Sequence, residues 1–93
     1  MHDLLEQAAA KIIKEQENII GPLAMEQAQK VNGLQIDKTS HKISFNGDKT
    51  TVLDHLVEQY KNIFGQTSVE VCKEAAESFL SKLPSQEVPS LLR

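Results

Sequence analysis

Two stretches of helical periodicity meet at a single glycine, and this constrains the fold more than any other feature of the chain. Val52, Leu53, Leu56, Val57, Tyr60, Ile63 and Phe64 precede Gly65; Val69, Cys72, Ala76, Phe79, Leu80 and Leu83 follow it. At 3.6 residues per turn each set falls on one side of a helix. Gly65 can take the left-handed conformation that ends a helix, so the pattern predicts an antiparallel helix pair with one apolar face each. Asp48 stands where it can cap the first of these helices, over about 49–64. Thr67 with Glu70 reads as a capping box opening the second, which runs to about Leu83 and is stopped by Pro84.

The N-terminal third follows the same period. Asp3 and Glu6 have capping-box spacing, and Leu4, Leu5, Ala8, Ala9, Ile12, Ile13, Ile19 and Ile20 form the stripe of a 17-residue helix. Gln16 breaks that stripe. Its amide either finds a nearby backbone partner or marks a helix–helix seam where a polar group sets register or oligomeric state. Gly21-Pro22 then ends the helix, because proline lacks an N–H and clashes with the preceding turn. Pro22 suits the first position of a second helix reaching about Val31, with Asn32-Gly33 at its end.

Between the helix pairs the period changes from 3.6 to 2. Leu34 and Ile36, then Ile43 and Phe45, alternate with polar residues and predict a short hairpin with its tip at Lys38 to His41. Two strands alone are marginal in water, so the Leu34, Ile36, Ile43 and Phe45 face must lie on the helices. The fold class is therefore mainly α with a short β-hairpin, in the order α-α-β-β-α-α, as a single-domain helical bundle over 1–84. Residues 85–93 carry only Val88, Leu91 and Leu92 as apolar anchors and are expected to form a flexible tail.

Chemistry is sparse. The three histidines, His2, His41 and His55, share no metal-ligand spacing, and no nucleophile adjoins them in sequence. Cys72 falls in the middle of an apolar stripe, where a thiol serves as a small core residue. One cysteine makes no internal disulfide and suits a reducing compartment. There is no basic-then-apolar leader pattern and no apolar run near the roughly 18 residues of a spanning helix, so a cytoplasmic location is expected. No catalytic, cofactor-binding or metal-ligating residue is assigned, and no cofactor.

Ten basic and 13 acidic side chains give a formal charge of −3, against the basic excess usual in nucleic-acid binders. The best basic cluster is Lys38, Lys42 and Lys49, which would be the contact residues if the chain were a DNA-binding regulator; Asp37 and Asp48 lie among them. Leu23 and Val71 sit off their helices' buried stripes. With Gln16, and with no Trp, one Tyr and three Phe in the core, they point to an interface with another chain. The leading expectation is a non-enzymatic protein–protein interaction module that self-associates as a homodimer, with candidate interface residues Gln16, Leu23 and Val71.

The segment Ile19-Ile20-Gly21-Pro22-Leu23-Ala24, followed by Ala28 and then by Leu53, Leu56 and Phe64-Gly65, resembles a small helical domain of archaeal and bacterial proteins with an Ile-Gly-Pro-Ile/Leu-Ala signature. That domain occurs at the end of multidomain signalling proteins or as a short stand-alone archaeal protein. The resemblance covers about residues 4–83 and implies a regulatory or interaction role without catalytic residues. It carries over Gly21-Pro22 alone, as a structural junction, and does not account for the hairpin.

Overall fold

The computed structural model describes residues 4–37, 39–40 and 42–92. Four helices and one hairpin follow the order read from the sequence: α1 (Leu4–Ile20), α2 (Leu23–Gln29), β1 (Leu34–Ile36), β2 (Ile43–Phe45), α3 (Lys49–Phe64) and α4 (Gln66–Leu80). Asp3 of the first expected capping box, with Lys38 and His41 of the hairpin tip, lies outside the described residues.

The helices share one interior. Ala8, Ala9, Ile12 and Ile13 of α1 meet Leu53, Leu56, Val57 and Tyr60 of α3 and Val69, Cys72 and Ala76 of α4 in a single buried cluster. Small residues at Ala8, Ala9, Ala24, Ala28, Ala75 and Ala76 let the helices approach closely, which replaces the bulk that aromatics would supply. The most extensive helix seam joins α1 to α4, the first and last long helices.

Local chemistry explains the boundaries. Asp48 is extended and accepts from the Thr51 N–H at 3.0 Å and the Thr51 hydroxyl at 2.6 Å, capping α3. Its carboxyl is held below the ordinary carboxylate value, chiefly by these two bonds. Gly65 has φ +83°, and its N–H returns to the Lys61 carbonyl at 2.8 Å. α4 begins at once at Gln66, so the Thr67–Glu70 capping box does not form; Gln66 Nε2 instead donates to Glu70 Oε2 at 3.2 Å. α4 ends at Leu80 and not near Leu83, its last residues tightening into turns through Lys82 N to Phe79 O and Leu83 N to Leu80 O. Pro22 precedes the first residue of α2, which stops at Gln29.

The hairpin pairs Leu34 with Phe45, Gln35 with Ser44 and Ile36 with Ile43. Leu34 and Ile43 are buried and Ile36 and Phe45 partly so, which is the expected face. At its root Gly33 has φ +87° and bonds through its carbonyl to Asn46 N at 2.7 Å. A Cβ there would stand 2.7 Å from the Asn46 carbonyl oxygen and 2.8 Å from Val52 Cγ2. Glycine alone fits between the hairpin and the first turn of α3.

The segment after Pro84 departs from the expectation of a flexible tail. It forms two 3-10 turns, an exposed one over Ser85–Glu87 and a second, Ser90–Leu92, packed on α3 and α4, with Pro89 and Leu92 buried. Thr50 and Asp54 of α3 bond to it, so the anchorage comes from α3 as well as from the segment's own apolar side chains.

Candidate interaction surface

Both helix-to-helix joints lie at one end of the bundle. Gln16, near the end of α1, donates through Nε2 to the carbonyl of Ser68, in the first turn of α4, at 3.2 Å. Tyr60, in the last turn of α3, donates its hydroxyl to the carbonyl of Ala24, at the start of α2, at 2.7 Å. Gln59 Nε2 bonds Gln27 Oε1 at 2.8 Å beside it. These bonds bring the α1–α2 joint at Gly21 and the α3–α4 joint at Gly65 to a common pole.

The large exposed hydrophobics among the described residues are Ile19, Leu23 and Ile63, exposed to 61%, 39% and 45%. All three belong to helix ends at this pole. Ile19 and Ile63 are each followed by a residue that packs on the core, Ile20 and Phe64, so they stand on the outer edge of the apolar stripes of α1 and α3. Around them stand the uncharged exposed residues Asn18, Asn62, Gln66 and Thr67, with exposed Lys61 and Glu26 and half-buried Glu17 on the same helix ends. Exposed apolar residues at adjoining helix ends, with a polar rim, have the make-up of an interaction patch.

The three residues expected at an interface are placed differently from one another. Leu23 is on the pole. Val71 is half-buried on α4, about 7 Å further along the helix at 1.5 Å per residue. Gln16 is 1% exposed and makes its contacts within the chain, to Ser68 O and, at 3.5 Å, to Cys72 Sγ. It marks a helix–helix seam, that of α1 on α4. Periodicity assigns Ile63 to a buried stripe; its one sequence signal is an apolar residue in the last turn before a glycine joint.

Two of the three lysines of the basic cluster, Lys42 and Lys49, are among the described residues. Lys42 is exposed at the tip side of β2 and Lys49 opens α3 beyond its other end. The three residues of β2 put roughly 10 Å of strand between them. Lys38 lies outside the described residues. Asp37 beside Lys42 holds the tip by accepting from Thr39 N at 2.8 Å and Ser40 N at 3.3 Å.

The titratable side chains of the interior are held neutral. Burial pushes the Cys72 thiol from 9.0 up to about 11, opposed in part by the Gln16 amide, and so suppresses its thiolate. Burial also raises Tyr60 above its ordinary 10.0, with the neighbouring Cys72 and Glu17 adding to it. His55 is exposed on α3. Among the described residues no three His, Cys, Asp or Glu side chains are grouped as a metal site would require, and no helix is long and apolar enough to cross a membrane. A surface cleft of about 340 Å³ is lined by Ala10, Ile13, Met25 and Ile43 with Lys14 and Glu17.

Comparisons with protein-family models, with curated proteins and with solved structures gave no match.

Proposed function

We propose that this chain is a non-enzymatic, cytosolic regulatory module that self-associates through the pole formed by Ile19, Leu23 and Ile63. The gathering of these three exposed side chains by two separate helix joints carries the reading. The rim holds both signs of charge, Lys61 with Glu26 and Glu17, which suits a second copy as partner. A two-fold contact presents the same patch from both sides, so a patch with both signs can meet itself with opposite charges across the axis.

The size of the patch sets the strength. Three partly exposed aliphatic side chains make an apolar area of the order of a few hundred Å². A stable specific interface buries about 1,200–2,000 Å² in total, so the pole supplies an apolar centre and the rim the remainder. Such a contact has a dissociation constant on the order of 10 μM or weaker, which suits a reversible regulatory association.

Sedimentation over a concentration series reads this directly. The wild-type chain is expected to shift from monomer to dimer, and Ile19→Lys or Ile63→Lys, which places like charges across the two-fold axis, is expected to return it to monomer with unchanged circular dichroism. A wild-type chain that stays monomeric at about 1 mM, where even a weak specific contact of about −4 kcal/mol half-saturates, would refute the proposal.

A further inference from the structure

The segment after Pro84 is built like a docked peptide. Its internal bonds are its own: Glu87 N to Pro84 O, Val88 N to Ser85 O and Leu92 N to Pro89 O. The bonds of the joint before it, Ser81 N to Glu77 O, Lys82 N to Phe79 O and Leu83 N to Leu80 O, run back along α4. Pro84 itself is extended, with φ −59° and ψ 147°.

Its attachment to α3 comes from one face of that helix. Thr50 Oγ1 donates to the Glu87 carbonyl at 2.9 Å. Four residues on, Asp54 accepts from the Leu91 N–H at 2.9 Å through Oδ1 and from the Ser90 hydroxyl at 3.0 Å through Oδ2. Two of these three bonds read main chain. Pro89 and Leu92, three residues apart, are buried; the turn Ser90–Leu92 packs on both α3 and α4, and Val88 and Leu91 pack partly against the core. The groove thus recognises a turn-forming peptide with an apolar Pro-x-x-Leu spacing and a hydroxyl after the proline.

We infer that the α3–α4 groove is a peptide-docking site, filled in cis by residues 85–92 and able to take the same segment from a second copy of the chain. Exchange re-forms the same bonds and the same burial, so its cost lies only in giving up the short connection through Ser81–Pro84. That connection holds the cis segment at an effective concentration of order millimolar, so the closed form prevails until the cis segment is disabled or displaced. This surface involves the first turns of α3 and is separate from the pole, where α3 ends.

Complementation between two full-length variants tests the inference. Pro89→Ser with Leu92→Ser spoils the segment and leaves the groove; Thr50→Ala with Asp54→Ala spoils the groove and leaves the segment. Mixed in equal amounts and followed by native mass spectrometry, the two are expected to give a heterodimer at least about tenfold more abundant than either homodimer, since only the mixed pair has an intact groove and segment in trans. Both variants carry Ile19→Lys, so the result is independent of the pole contact. A labelled peptide of residues 84–93 is expected to bind the segment variant saturably and to lose binding when Asp54→Ala is added. The softer pair Pro89→Ala and Leu92→Val serves if the serine variants unfold. Heterodimer no more abundant than the homodimers, with no peptide bound by a folded segment variant, overturns the inference.

Discussion

Replacing Gln16 by methionine should leave the protein as stable as before or more so, although it deletes a buried hydrogen-bonding group. Gln16 is 1% exposed, so its amide gives up most of its contact with water. In return its Nε2 makes a 3.2 Å bond to the Ser68 carbonyl and a 3.5 Å contact with the Cys72 sulfur, a weak acceptor. Ser68 and Cys72 are one helical turn apart in α4, so the Ser68 carbonyl keeps its intrahelical bond when the amide is gone. Cys72 is well suited to an apolar neighbour. Methionine fills nearly the same volume, so neither a cavity nor an orphaned partner results, and the change should fall within about 1 kcal/mol of wild type. Gln16→Ala removes the side chain beyond Cβ from a site that cannot fully collapse and should cost about 2–3 kcal/mol. Urea unfolding followed at 222 nm distinguishes the two. If Gln16→Met lost as much as Gln16→Ala, the amide and not its volume would hold the α1–α4 seam, and the reasoning would fail.

Alkaline pH should destabilise the chain in a defined window. Cys72 titrates at 9.0 when unfolded and at about 11 when folded, so its contribution is complete below pH 9 and is lost as the pH rises toward 11. At about 1.4 kcal/mol for each tenfold change in proton affinity the loss is on the order of 2–3 kcal/mol. Tyr60, also raised, acts in the same direction at higher pH. A thermal midpoint that does not fall between pH 9 and 11, or a fall that Cys72→Ala does not flatten, would contradict this. Gly33→Ala should cost about 2–4 kcal/mol, from backbone strain plus the contacts with Asn46 and Val52, whereas Gly21→Ala, with φ +71° and open space around it, should cost about 1 kcal/mol. Equal losses by urea titration would show that backbone strain alone decides both positions.

Most of the fold was legible because its elements carry strong periodicity and punctuation. The shift from period 3.6 to 2 at Leu34, the Asp48 cap and the Gly65 joint each have a local physical cause, and the structure has all three. The segment 85–92 was not legible, because 3-10 turns have no amphipathic period and Asp54 reads as an ordinary surface carboxylate until Leu91 arrives beside it. Gln16 stood out at once, yet its partners are 52 and 56 residues away and no local pattern names them. The pole was half legible. Leu23 is off its stripe, but Ile19 and Ile63 are at the edges of theirs, where the neighbouring Ile20 and Phe64 take the place on the core.

The pairing of α1 with α4 also has a consequence for how the molecule comes into being. During synthesis the opening helix is finished long before its main neighbour exists, and until about residue 72 has been made only α2, the hairpin and α3 can cover part of it. The side of α1 that carries Gln16 therefore closes last, when nearly all of α4 has left the ribosome.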